Sequence, residues 1–324
     1  MPCDHEHADH AGAATGGHRH VGHGHGHGHA FTGEHFDRAM AIGVGLNALF
    51  VAVEAAAGIA GGSLSLLADA GHNAGDVVGL ILAWGASRLA RRPPTPRYTW
   101  GYRRSTIYAA LGNAVLLLLA CGGIAREAVH RLQEPVAVAG PTIVVVAAIG
   151  VVINTLTALL FLRGSAGDAN VRGAFLHMAA DAAVSVGVVV AGIAVSLTGL
   201  AWIDPLVSLA IVATILAGTW GLLRESIDLA LDAVPRGIDP AEVTACLAAI
   251  PGVSEVHDLH VWNASTSEVS LTVHLVVAAD AGRDTVLAAA AETLRGRFAI
   301  AHTTIQVEGH DAGASCPQRP ADTL

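Results

Sequence analysis

Residues 135–162 read PVAVAGPTIVVVAAIGVVINTLTALLFL, a run without a single Asp, Glu, Lys or Arg. A helix of about 20 such residues spans the hydrocarbon core of a bilayer, since each residue adds about 1.5 Å and the core is about 30 Å thick. Residues 105–125 and 205–223 are equally free of charge. Only 14% of the 324 residues are charged, against about 25% in soluble domains. These runs define an integral membrane protein. They exclude a soluble enzyme or a nucleic-acid-binding domain as the main body of the chain.

Working outward, the composition divides the chain into four zones. Residues 1–36 form a Gly/Ala/His tail without apolar periodicity, expected to be disordered. Residues 37–223 hold the hydrophobic segments, 235–310 return to ordinary soluble composition, and 311–324 form a polar tail. The membrane zone predicts six helices near 39–60, 64–87, 105–125, 141–162, 173–198 and 204–223. The second-to-third link carries Arg88, Arg91, Arg92, Arg97, Arg103 and Arg104, and the fourth-to-fifth carries Arg163 and Arg172. The links Gly61–Ser63 and Thr198–Ile203 carry no basic residue. Basic links stay in the cytoplasm, so both termini of a chain with six spans are expected there. All 18 basic residues are arginine, for which there is no functional account. The polar N-terminus is not a cleavable signal peptide. Cys3, Cys121, Cys246 and Cys316 form no CxxC pair, so neither a disulfide framework nor a cysteine zinc cluster is indicated.

The soluble zone alternates element types. Asp239-Pro240 opens a helix through about Ile250, with Asp as N-cap and Pro at its first position. Val253–Asn263, Ser270–Ala278 and Thr303–Glu308 read as strands, and Asp284–Phe298 as an amphipathic helix. In the second strand Leu271, Val273, Leu275 and Val277 alternate on one face. The order αββαβ predicts a small two-layer α+β sandwich of ferredoxin-like type.

Ionisable residues inside the membrane zone carry the chemistry. The second helix holds His72 and Asp76, and the fifth holds His177 and Asp181. Both pairs are spaced i, i+4, which puts each on one helical face. Such groups are costly at membrane depth and face partners or a water-filled cavity. Two imidazoles and two carboxylates make a four-coordinate set suited to Zn²⁺. Two carboxylates also neutralise a divalent ion, and an emptied site would take up protons, so metal and protons compete there. Asp69 shares this broad face nearer the helix start and is expected to serve as an entrance or exit group rather than a ligand. Asn47, Glu54 and Asn113 are expected to tie helices together by hydrogen bonds, with a transport role the less favoured alternative for Glu54. Asp204 reads as the N-cap of the sixth helix, and Arg103 and Arg104 as topology charges. In the tail, His23, His25, His27 and His29 alternate with glycine and are candidates for collecting metal. In the soluble zone His257, His260, His274, His302 and Glu308 are candidates. His257 and His260 lie an odd number of residues apart on a strand, so they are expected on opposite sides.

Ser63–Asp76, SLSLLADAGHNAGD, resembles the second helix of the cation diffusion facilitator family. The segments YTWGYRR (98–104), HMAAD (177–181), WIDP (202–205) and VHDLHVW (256–262) match it in order. The resemblance covers about residues 36–308. It implies a six-helix transporter with a cytoplasmic metal-binding domain, working as a homodimer and exchanging Zn²⁺ for H⁺ across a bacterial inner membrane. It also implies that His72, Asp76, His177 and Asp181 hold the transported metal, and that His257, His274 and Glu308 are positions for a regulatory one. Gln306 and Glu308 depart from the histidine-and-aspartate ending of some members. Cd²⁺, Co²⁺ and Fe²⁺ are alternative cargoes, and a metal sensor without flux is an alternative class. An intramembrane zinc enzyme is disfavoured, because neither helix carries the HExxH spacing.

Overall fold

A computed structural model of the protein describes residues 34–162, 169–310 and 316. The tail histidines His23, His25, His27 and His29, together with Arg163, lie outside the described residues. Six helices come first: α1 (Glu34–Gly61), α2 (Leu64–Ala90), α3 (Ser105–Gln133), α4 (Gly140–Leu162), α5 (Ala169–Thr198) and α6 (Ile203–Ala230). Among the described residues, four stretches are long and apolar enough to cross a membrane: Ser105–Gln133, Gly140–Leu159, Phe175–Thr198 and Ile203–Ala230. α2 has the length but is diluted by Asp69, His72, Asn73 and Asp76.

Helix ends differ from expectation in one direction. α1 begins at Glu34 rather than near 39, and α3 and α6 continue to Gln133 and Ala230 rather than 125 and 223. Charge marks where a helix leaves the apolar layer, but it does not end the hydrogen-bond ladder. In α3 the extra turns carry the i, i+4 pair Glu127 and Arg131 at 3.0 Å, a spacing that supports helix.

α4 packs along α5 and α3 along α6, while α2 touches α1, α3, α5 and α6. Leu66, Cys121, Ile143, Val188 and Ile211 form the buried apolar centre. Small residues allow the close crossings. A β-carbon at Gly75 would meet Leu117 Cδ2 at 2.2 Å, and one at Gly140 would meet Ser196 Oγ at 2.2 Å. Leu49, Trp84, Leu119, Val190 and Leu197 are exposed on the outside, where lipid replaces water as their solvent.

Asp204 does not cap its own helix. The N-cap of α6 is Trp202, with no side-chain bond. The fully buried Asp204 carboxylate instead accepts hydrogen bonds at the start of α2: from Leu64 N at 2.6 Å, Ser65 N at 3.2 Å and Ser63 Oγ at 2.7 Å. Ser63 Oγ in turn accepts from Leu66 N at 3.2 Å. Four unpaired N–H groups begin every helix and carry partial positive charge, so a buried anion there satisfies donors that no water could reach.

The small domain contains α7 (Pro240–Ala248), β1 (Val253–Asn263), β2 (Val269–Val277), α8 (Arg283–Phe298) and β3 (His302–Gly309). β2 lies between antiparallel β1 and parallel β3. Leu247 from α7 and Leu294 from α8 meet Leu271, Val273 and Leu275 of β2 in one core, as the αββαβ order requires. Asp239 caps α7 by accepting from Ala241 N at 2.9 Å. At the seam with the membrane bundle, Arg104 pairs with Asp232 at 2.7 Å and Arg103 with Glu268. Both pairs are exposed, so each contributes little by itself.

The expectation that His257 and His260 face opposite sides fails. Across β1, His257 opposes His274 and His260 opposes Thr272, so three steps face two. Asp258, with φ +50°, lies in this bulge. A bulge resets the alternation, and both histidines lie on the face away from the helices.

The Asp204 network predicts that Asp204→Ala costs about 2–3 kcal/mol, because it leaves buried donors at a helix start unpaired. A lowered thermal midpoint of the detergent-purified protein, with Asp204→Asn intermediate, is the expected result.

Candidate metal sites

α2 and α5 bring the four membrane residues together in a crossed arrangement. His72 Nε2 lies 3.0 Å from Asp181 Oδ1, and His177 Nε2 lies 3.2 Å from Asp76 Oδ2. Each imidazole thus bonds the carboxylate of the opposite helix rather than its own i+4 partner. Within α5, His177 Nε2 and Asp181 Oδ2 are farther apart, at 3.7 Å. The two rings meet edge to face with centroids 6.0 Å apart. Each bridge holds one hydrogen between an imidazole nitrogen and a carboxylate oxygen. Those protons occupy the atoms a metal would use.

Ligand atoms of His72, Asp76 and Asp181 lie within 4.8 Å of one another. Ligands about 2.0–2.2 Å from a tetrahedral Zn²⁺ are about 3.4 Å apart, so small side-chain movements close the shell. The side chains of Asp76 and His177 are 29% and 32% exposed, whereas Asp181 is 2% exposed. The site is therefore open along one side and sealed at Asp181.

Asp69, expected as an entrance or exit group, faces no solvent. It is fully buried and its Oδ2 accepts from Ser185 Oγ at 3.0 Å. Glu54 is also fully buried and accepts from Asn73 Nδ2 at 3.3 Å, tying α1 to α2 as expected.

A second cluster lies on the open face of the small sheet. His274 Nδ1 is 3.1 Å from Glu308 Oε1, and His257 Nε2 is 3.6 Å from Glu308 Oε2. Cys316 Sγ stands 3.6 Å from His274 Nδ1. The four residues offer ligand atoms within 4.8 Å of one another. Both nitrogens of His257 and Glu308 Oε2 are buried without a hydrogen-bond partner, an arrangement that a cation would relieve. His260 and His274 share Asp258 across the bulge, at 3.1 and 3.5 Å. His302 lies elsewhere, against Trp100 with centroids 4.5 Å apart. Cys316 was missed in the sequence because spacing along the chain carries no sign of it; only folding brings it to β2.

A helical membrane bundle with imidazoles and carboxylates at its centre, followed by a small α+β domain, defines a membrane transporter of cations. Residues 40–229 match the cation efflux transmembrane domain, and residues 235–310 match the cytoplasmic domain of cation efflux proteins. The chain belongs to this cation efflux family. It is 36% identical over 273 residues to the cation efflux system protein CzcD of Alcaligenes sp. (strain CT14), covering 84% of this chain and 86% of that one. It is 36% identical over 273 residues to the zinc transporter ZitB of Escherichia coli (strain K12), covering 84% and 87%. The cadmium, cobalt and zinc/H(+)-K(+) antiporter of Bacillus subtilis (strain 168) is 31% identical over 280 residues, covering 82% and 88%. A solved structure, the metal-bound C-terminal domain of the CzcD transporter from Cupriavidus metallidurans, is 40% identical, with TM-score 0.21 over 22% of this chain and 99% of that one.

A sulfur ligand beside two imidazoles and a carboxylate makes the second cluster softer than the membrane site. Cys316→Ser should therefore weaken Cd²⁺ binding at this cluster more than Zn²⁺ binding. Calorimetry on the full-length protein, with Asp181→Ala present in both samples, checks the difference.

Proposed function

We propose that this chain exports Zn²⁺ from the cytoplasm in exchange for protons, through His72, Asp76, His177 and Asp181. The observation that carries the reading is the crossed pairing of imidazoles and carboxylates between α2 and α5. In the metal-free site the two bridging hydrogen bonds hold the two helices together. Zn²⁺ binds imidazole only in its neutral form and carboxylate only in its ionised form, so any proton that neutralises the emptied site is displaced on loading and taken up again on emptying. The loaded site carries two negative carboxylates and one divalent cation, balanced in a low-dielectric setting. Two imidazoles favour Zn²⁺ over harder ions, and the names of the ZitB and Bacillus relatives support zinc as cargo. Cd²⁺ and Co²⁺, which appear in the name of the Bacillus relative, fit the same ligands with lower preference.

The arginine links support an orientation with both termini in the cytoplasm of a bacterial inner membrane. On that orientation the small domain is cytoplasmic, and His257, His274, Glu308 and Cys316 form a regulatory zinc site that senses the pool to be exported. The chain works as a homodimer on this reading, in line with its match to the cytoplasmic domain of the family. The domain limits follow: a His-rich collecting tail over 1–36, the transport bundle over 37–223, the metal-binding and dimerisation domain over 235–310, and a polar tail over 311–324 that supplies Cys316.

In proteoliposomes, Asp76→Ala or Asp181→Ala should lower zinc flux at least about 100-fold, since each removes a ligand and half of the neutralising charge. Size-exclusion profiles should stay those of wild type. Near-normal flux in either variant would contradict the site. Deleting residues 1–33 should leave maximal flux intact and raise only the zinc concentration needed to reach half of it; loss of flux at saturating zinc would place the tail inside the transport cycle.

A further inference from the structure

One buried cluster of the bundle is not used by the metal site. Glu54 on α1 and Asp69 on α2 are both fully buried, and their carboxyl groups adjoin. One oxygen of each has a donor: Glu54 Oε2 from Asn73 and Asp69 Oδ2 from Ser185. The other two, Glu54 Oε1 and Asp69 Oδ1, have no hydrogen-bond partner. No arginine is paired with either acid among the described residues. Two ionised carboxylates in contact, away from water and without a cation, repel each other and leave two acceptors empty. A single shared proton removes both faults, turning two orphaned acceptors into one O–H···O⁻ hydrogen bond, the short and strong kind.

We propose that Glu54 and Asp69 form one proton-binding site, separate from the metal ligands, that supplies the proton counter-flow. The placement fits that role. Asp69 precedes His72 by three residues, about 4.5 Å along α2, on the side of the short α1–α2 link. The pair therefore lies between the metal ligands and the face opposite the arginine-rich links, at the sealed end of the site. Ser185, which donates to Asp69, lies one turn along α5 from Asp181. The ionisable groups facing the pair are His72 and Asp181, with Asp76 and His177 behind them. α4 contributes none over Gly140–Leu162, and the nearest acid of α6, Asp204, is held at the start of α2. When the metal leaves, the shared O–H bond breaks and its proton passes to Asp181 or an imidazole. The pair then takes a new proton from the far side.

This inference rests on the reading of the four metal ligands given above, and the test separates the two. Glu54→Gln keeps the shape and the bond to Asn73, and its amide can still donate to Asp69, so folding should survive. Infrared spectra of the metal-free, full-length protein should show a buried protonated-carboxyl band at neutral pH in wild type, absent in Glu54→Gln. Zinc affinity of the purified variant should change by less than about threefold, while proton-driven zinc flux in proteoliposomes falls by about tenfold and loses its pH dependence. Glu54→Asp, which keeps an acid, should recover part of that flux. A band that persists in Glu54→Gln, a wild-type pH profile, or equal loss in Glu54→Asp and Glu54→Gln would each overturn the proposal. If the metal-site reading is what fails, Asp181→Ala will bind zinc like wild type, a result that Glu54 substitutions do not influence.

Discussion

Four ionisable side chains stand at the centre of a bundle whose surroundings offer little water, and that placement constrains everything around them. A charge at that depth must be paired, neutralised or coordinated. Here the answer is reciprocal: His72 of α2 reaches Asp181 of α5, and His177 of α5 reaches Asp76 of α2. Had each histidine bonded its own i+4 aspartate, the helices would have been self-sufficient and the site would not have linked them. The crossed pairing makes the two helices depend on each other at the point where a cation is to be exchanged.

The rest of the bundle positions α2 for this contact. Asp204 fixes where α2 starts, Gly75 lets it approach α3, and Glu54 and Asn73 join it to α1. A one-residue shift of α2 would turn His72 by about 100° around the helix axis and away from Asp181. The buried cap at Ser63 to Ser65 is therefore a register device as well as a source of stability. The coupling of metal and protons then follows from charge, because the carboxylates that a divalent ion neutralises are the same ones that protons neutralise in its absence.

Much of this was legible in the sequence, and for physical reasons. Uncharged runs of membrane length, the i, i+4 spacing of two His–Asp pairs and the αββαβ order are local patterns, and each reported its element correctly. What stayed hidden depends on contacts distant along the chain. Asp204 looked like the cap of α6 because N-capping is ordinarily local, yet its partners lie about 140 residues earlier. The bulge at Asp258 has no glycine to announce it, so strict alternation placed His257 and His260 on opposite faces. Cys316 sits in a polar tail with nothing in its neighbourhood to mark it as a companion of His274. Glu54 read first as a tie between helices, with transport the less favoured alternative, because the orphaned oxygens that distinguish it exist only once Asp69 is beside it.

The account stands or falls on which atoms surround the transported ion. X-ray absorption at the zinc edge on the full-length protein, with His257→Ala, His274→Ala and Cys316→Ser introduced and residues 1–33 removed, isolates the membrane site. The account predicts two imidazole nitrogens and two carboxylate oxygens at about 2.0–2.2 Å. A shell with a different imidazole count, or one that is mostly water, would contradict it.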